Sequence, residues 1–275
     1  TLFDLIRAAI QEDMPSGDLT TESLALRPRP GRARLVAKQD LVLSGAPAFE
    51  QTMLMLEPHV KIKWHFEEGQ SILNKQNICT IQGDLIQILK AERVALNFLM
   101  HLSGIATYTH RFAKAVEKTK TRILDTRKTT PAYRDLEKKA VVHGGGYNHR
   151  HNLSSAILIK DNHITVMGGI RAAVERTRQH TDALIEVEAS NLDQVRECVD
   201  LKVSRILLDN MNDELLSQAL ALIPEEIEAE ASGNMTLDRV GRVAQLGVDF
   251  ISVGALTHSA PSADVTEGSI VRVTA

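Results

Sequence analysis

Apolar residues recur at helical spacing at the start of the chain, at Leu2, Leu5, Ile6, Ala9 and Ile10, with Thr1 placed to cap the helix. MPSGDLTTES then forms a turn-rich loop. From about Arg32 to Gln87 the period shortens. RARLVAKQDLVLSG, VKIKWHFEEGQ and NICTIQGDLIQIL alternate or run rich in β-formers between turns, so short strands are predicted. Residues 88–118 return to helix. There Leu89, Val94, Leu96, Phe98, Leu99 and Leu102 spread over more than one narrow stripe, the mark of a well-buried helix. Residues 1–104 thus form a small α+β domain.

After residue 121 the rhythm becomes regular. Short apolar strands are predicted at RILDT (122–126), AILIKD (156–161), LIEVE (184–188), RILLD (205–209), EIEAEAS (226–232) and DFISVG (249–254). Amphipathic helices separate the later ones: GIRAAVERTRQ, NLDQVRECVD, DELLSQALALI and TLDRVGRVAQLG. This alternation implies a parallel sheet and points to a barrel. Nearly every strand ends on a polar residue or glycine: Asp125 and Arg127, Lys160, Glu188, Asp209, Ser232, Gly254. Strand C-termini form the active-site face of α/β barrels, so these residues are candidates for one mouth.

Composition narrows the function. The chain has 275 residues, with 43% hydrophobic and 24% charged, an ordinary globular mix that fits a large barrel or two domains. Net charge is −3 and only 4% of residues are aromatic, which argues against a nucleic-acid or membrane polycation. Cys79 and Cys198 form no C-x-x-C pair, so neither a disulfide framework nor a zinc site is expected. No apolar run reaches membrane-spanning length and the first residues lack a signal-peptide pattern, so a cytoplasmic protein is expected.

Basic charge is concentrated locally. Arg127, Lys128, Arg134, Lys138, Lys139, Arg150 and Lys160 face only Asp135 and Glu137 in the same window, with His143, His149 and His151 among them. Guanidinium forks and ammonium groups suit carboxylates and phosphates. RDLEKK mixes signs at helical spacing, so Arg134, Lys138 and Lys139 fit a solvated helix face. Arg127, Arg150 and Lys160 sit at strand ends or near Gly144-Gly-Gly and fit an anion site better. Glu188 and Asp209 are the acidic counterpart. They could hold Mg²⁺ with a substrate phosphate or simply pair with the arginines. Ser232-Gly233-Asn234 before a helix, and the glycine of Val253-Gly254-Ala255 after the last strand, offer backbone N–H groups to a phosphate.

Together these strings resemble quinolinate phosphoribosyltransferases. The matching pieces include EDMPSGDLTTE (12–22), AERVALNFLMHLSGIAT (91–107), ILDTRKTTPAYRDLEKKAV (123–141), GGGYNHR (144–150), LIKDNH (158–163), IEVE, LLDN, EASGNMTLD (230–238) and ISVGALTHSAP (251–261), in order over essentially the whole chain. The resemblance implies an N-terminal α/β sandwich (1–104), an incomplete α/β barrel (105–263), and a tail (264–275) that packs back on the sandwich. It also implies a homodimer in which one subunit's sandwich covers the other's barrel mouth and supplies Arg93. The implied reaction joins quinolinate to phosphoribosyl pyrophosphate, giving nicotinate mononucleotide, pyrophosphate and CO₂. By resemblance Arg93, Arg127, His149, Arg150 and Lys160 surround quinolinate, and Lys128 reaches the pyrophosphate. Glu188 and Asp209 face the ribose and Mg²⁺, while Ser232, Gly233 and Gly254 hold the 5′-phosphate. Lys128, Lys160, Glu188 and Asp209 carry the catalysis.

The chain departs from the family pattern in four places. Ala132 stands for a usual Gly, Lys139 for a common Tyr, Val142 for a common Arg, and His151-Asn152 follow NHR. None removes a residue assigned above, but each bears on loop geometry. The rival readings are a paralogous transferase with another acceptor, such as the molybdenum-transport-associated homologue, and a binding protein that kept the fold. The intact basic set suits a dicarboxylate and disfavours the first; the retained acids disfavour the second.

Overall fold

A computed structural model describes residues 1–272. Helix α1 (Leu2–Asp13) starts where Thr1 and Asp4 cap each other reciprocally. A short α2 (Leu19–Ser23) lies in the expected loop, because the Asp18 side chain accepts the Thr20 and Thr21 N–H groups. Then follow β1 (Pro30–Ala37), β2 (Leu41–Val42), α3 (Ala46–Leu56), β3 (Lys61–Trp64), β4 (Ser71–Ile72), β5 (Asn77–Asp84) and the long α4 (Leu85–Val116). Two differences from the sequence reading stand out. The expected run of strands is broken by α3, and LIQIL (85–89) begins α4 rather than extending β5.

Contacts divide the chain into two compact units. One holds Thr1–Thr109, Thr130–Gly145 and the chain from Ala260; the other holds His110–Thr129 and Gly146–Ser259. In the first unit β1 alternates buried and exposed positions along most of its length, and Ala33, Leu35 and Ala37 pack with Phe49 and Met53 of α3 and Leu96 and Leu99 of α4. Each buried Leu, Phe or Met side chain among them stabilises the unit by about 1.5–3 kcal/mol. A second cluster, Ile6 with Ala48, Val94 and Phe98, joins α1 to α3 and α4.

The second unit carries β6 (Arg122–Leu124). Helix α5 (Arg134–His143), which follows it, belongs to the first unit. Next come β7 (Ile157–Ile159), α6 (Asp161–Met167), α7 (Ile170–Arg178), β8 (Ile185–Ala189), α8 (Leu192–Asp200), β9 (Arg205–Asp209), α9 (Asp213–Leu220), β10 (Glu228–Ser232), α10 (Leu237–Gln245), β11 (Phe250–Ser252) and α11 (Ala255–His258). Asn191 and Asn212 cap α8 and α9 through their side-chain oxygens.

Six parallel strands run in the order β6-β11-β10-β9-β8-β7. A closed barrel would pair β6 with β7. Here the connection between them lies along β6 instead: the Tyr147 N–H donates to the Ile123 carbonyl at 2.8 Å and the Asp125 N–H to the Tyr147 carbonyl at 3.0 Å. The barrel is therefore incomplete, as the resemblance implied. The last strand, β12 (Val265–Arg272), pairs antiparallel with β1 in the first unit and completes the order β12-β1-β5-β3. Residues 273–275 of the expected tail lie outside the described residues.

Candidate active site

The period of two along a strand sorts the polar residues of the barrel. Glu186 and Glu188 on β8 share a face, as do Arg205 and Asp209 on β9, and Glu228, Glu230 and Ser232 on β10. At the C-terminal ends, Glu188, Asp209, Ser232 and Gly254 line a cavity of about 830 Å³. Arg127 and Lys128 enter it from the loop after β6, and His149 and Arg150 from the segment beside β6. Lys160 enters from the end of β7. Of the expected site residues, only Arg93 lies elsewhere: it is exposed on α4 in the first unit.

Local bonds fix this arrangement. Asp125, fully buried, accepts the His149 N–H at 2.9 Å and anchors the segment that carries Arg150. The Lys160 Nζ donates to Glu188 Oε2 at 2.9 Å, so this lysine bridges the basic and acidic walls. Asn210 Nδ2 donates to Asp209 Oδ2 at 2.8 Å. Gly233 has φ +88, and a Cβ there would run into Asn210. A Cβ at Gly254 would stand 3.0 Å from Lys128 Cδ, so the glycine leaves room for the lysine stem, and Thr257 Oγ1 donates to the Lys128 carbonyl at 2.8 Å.

Below the mouth lie groups the sequence reading did not single out. Glu186 and Glu230 are buried, with His149 Nε2 at 3.2 Å from Glu186 Oε2 and 3.5 Å from Glu230 Oε1. Arg205 holds Glu230 Oε2 at 3.2 Å and Glu228 Oε2 at 2.7 Å, with its guanidinium 4.0 Å from the Phe250 ring centroid. Burial, and then the Glu186 charge, push the Glu230 carboxyl up to about 7. For His149, burial lowers the pKa, but the Glu186 hydrogen bond and the Glu230 and Glu186 charges outweigh it and leave it raised. The Arg150 N–H points at His149 Nδ1 from 2.6 Å, which favours the neutral ring; in either state Nε2 keeps its proton. Burial first and the Arg127 charge second lower the pKa of Arg150, as expected where two guanidiniums crowd one anion pocket. Thr126, Asn210, Asn234, Ser252 and His258 also line the cavity. Only the alternation on β8 and β10, and the position of His258 just past the last glycine, signalled any of these groups in the sequence.

The surface helix face expected at RDLEKK needs correction. Lys139 is exposed and Arg134 half-buried, but Lys138 and Glu137 are buried in the first unit. Glu137 accepts from the Thr130 N–H at 3.1 Å and sits 2.8 Å from His101 Nε2, so tertiary partners draw this turn inward. His143 is likewise held in that unit, 2.9 Å from Ser44 Oγ. Ala132 takes φ +66, a left-handed conformation that glycine adopts without strain.

An open barrel with a basic wall facing an acidic one, and glycine-opened loops at its last two strands, defines an enzyme of anionic, phosphorylated substrates. The chain belongs to the quinolinate phosphoribosyl transferase family: the family's N-terminal domain matches residues 18–103 and its C-terminal domain residues 105–266. It is 42% identical, over 94% of this chain and 88% of the relative, to a probable nicotinate-nucleotide pyrophosphorylase [carboxylating] of Synechocystis. It is 35% identical, over 96% of this chain and 81% of the relative, to quinolinate phosphoribosyltransferase [decarboxylating] 2b, mitochondrial, of Nicotiana tabacum. The crystal structure of NadC from Streptococcus pyogenes superposes with a TM-score of 0.93 at 37% identity, covering 98% of this chain and 96% of that one.

Proposed function

We propose that this chain transfers the phosphoribosyl group of phosphoribosyl pyrophosphate to quinolinate with loss of CO₂, giving nicotinate mononucleotide and pyrophosphate for NAD biosynthesis. The observation that carries this reading is the convergence of Arg127, Arg150 and Lys160 on one cavity that also holds Glu188 and Asp209. Three cations suit an acceptor with two carboxylates. The two acids suit a sugar that becomes positive as pyrophosphate leaves.

In the reaction the pyridine nitrogen bonds to C1 of the ribose while the C1–oxygen bond breaks and its electron pair leaves with pyrophosphate. Lys128 takes the leaving charge, and Ser232, Gly233 and Gly254 hold the 5′-phosphate. Lys160, already bonded to Glu188 at 2.9 Å, ties the acceptor wall to the ribose wall, so both substrates register on one side chain. The ring nitrogen is then cationic and its charge stabilises the electron pair that stays at C2 as CO₂ departs; that pair then takes up a proton. Glu188 and Asp209 offer hard oxygen donors at the ends of adjacent strands, a set that fits Mg²⁺ shared with substrate phosphates. When bound, the ion would neutralise pyrophosphate charge.

The active assembly in this reading is a homodimer, with Arg93 of the partner subunit completing the acceptor wall. Its exposure on α4, outside its own chain's cavity, supports that role. Buried cysteines at Cys79 and Cys198, neither of them in a disulfide, suit the cytoplasm, and among the described residues no helix is long and apolar enough to cross a membrane.

Purified protein given quinolinate, the ribosyl donor and Mg²⁺ is expected to release CO₂ and nicotinate mononucleotide. Use of nicotinate in place of quinolinate, with no CO₂ released, refutes the reading and favours the paralogue. Arg93→Ala and Lys160→Ala proteins, each inactive alone, are expected to regain partial activity after subunit exchange. No recovery after proven exchange rejects the shared site.

A further inference from the structure

Two carboxyl groups in the barrel interior are not used by the transfer chemistry above. Glu186 of β8 and Glu230 of β10 close on His149 from below, and Glu230 Oε1 is buried with no hydrogen-bond partner of its own. The other Glu230 oxygen is held by Arg205, which also holds Glu228. Both ring nitrogens of His149 face protein: Nε2 turns to the two carboxylates, and Nδ1 lies 2.6 Å from the Arg150 backbone nitrogen. An imidazole oriented this way has a protein partner at each ring nitrogen while it lines the cavity. It holds the backbone of the residue whose guanidinium enters the cavity.

We propose that Glu230 and Glu186 are positioning residues of the acceptor pocket: Glu186 holds the His149 Nε2–H by a hydrogen bond and Glu230 holds it by its charge from 3.5 Å, and the ring in turn sets the backbone of Arg150. The relay runs from two interior carboxylates through one imidazole to one guanidinium. Asp125 fixes the other end of the same segment by accepting the His149 N–H. Acceptor affinity thus depends on residues that never touch the acceptor. The acceptor's identity comes from the function proposed above, whereas the anchoring of the ring stands without it.

The same three side chains have ligand atoms within 4.8 Å of one another, close enough for a metal ion. Arg205 argues against one, because a resident guanidinium already supplies the positive charge at Glu230. A divalent ion on Nε2 would also displace the proton on which the relay depends.

Two measurements test the relay. The first needs no substrate. In protein labelled with ¹⁵N-histidine, His149, assigned by its loss in His149→Asn, is expected to show an Nε2-bound proton slow to exchange with solvent. That proton should move upfield in Glu230→Gln and in Glu186→Gln as the charge-assisted bond weakens. An unprotonated Nε2, an Nε2–H that exchanges freely in the native protein, or a co-purifying divalent ion that shifts this signal overturns the proposal. The second is kinetic. Glu186→Gln and Glu230→Gln are expected to raise the KM for quinolinate about three- to tenfold, with kcat and the donor KM within about twofold. In a His149→Asn background the same substitutions should add nothing, because their effect passes through the ring. Additive losses overturn the relay. Should one variant fail to fold because Arg205 loses its partner, the other still decides the question. Absence of quinolinate turnover by the native protein rejects the proposed function and leaves the histidine spectrum to judge the anchoring.

Discussion

Gly233→Ala puts the phosphate loop to a quantitative test. The residue has φ +88, where an L side chain costs about 1–2 kcal/mol relative to glycine. A Cβ would also stand 2.9 Å from the Asn210 backbone nitrogen and closer still to the Asn210 side-chain oxygen. The loop has little slack to absorb this. Asn210 N–H donates to the Ser232 carbonyl at 3.0 Å, and Arg239 Nη1 holds the Gly233 carbonyl at 3.2 Å. Overpacking against such fixed atoms adds about 1–3 kcal/mol. If about half of the combined strain falls on the donor-bound conformation, the donor KM rises on the order of tenfold or more. Gly247→Ala is the control. Its φ is +97 but nothing lies within 4 Å of the added carbon, so backbone strain acts alone. That variant should lose about 1 kcal/mol of stability and keep its donor KM. Steady-state kinetics with each substrate varied in turn, together with thermal melts, reads both proteins. An unchanged donor KM in Gly233→Ala, or an equal kinetic loss in Gly247→Ala, refutes the reasoning.

Two further outcomes follow from burial and backbone. Lys138→Ala should cost about 2–4 kcal/mol in denaturant unfolding, since it empties a fully buried site, while Lys139→Ala one position on should stay within about 0.5 kcal/mol. Ala132→Gly removes a left-handed alanine at φ +66 and should raise stability by about 0.5–1 kcal/mol, visible as an upward thermal shift of about 1–3 °C.

Much of the second unit was legible because its signals are local. β9 was bounded in the sequence as it stands in the structure, and α7, α8, α9 and α10 fall inside the predicted amphipathic stretches. Buried parallel strands are short apolar runs, and asparagine marks the start of α8 and α9. Helix α3 was not legible: APAFEQTMLML is apolar on nearly every side, so it carries no clean helical period, and its proline sits at a helix start. Lys138 misled for a different reason. Its spacing on the helix is that of a surface charge, while its burial is decided by segments distant in sequence. Arg127, Arg150 and Lys160, set apart in the sequence by strand ends and glycines, all line the cavity, because those are local marks of a barrel mouth. Glu186 and Glu230 escaped notice because an acid inside a strand looks like an exposed one until the neighbouring strands close over it.

The alternation along β8, β9 and β10 sets how this chain can change length. A single inserted or deleted residue within β8 would turn Glu186 and Glu188 toward the helix layer together and bring Ile185 and Val187 to the interior. The same one-residue insertion in β10 would exchange Glu230 and Ser232 for alanines. These strands therefore have a reading frame, and length variation must fall in the segments between them. A deep insertion and deletion scan should find frame-shifted strands inactive even where the altered residues are all small and apolar, and should find the turns that precede β8 and β11 tolerant.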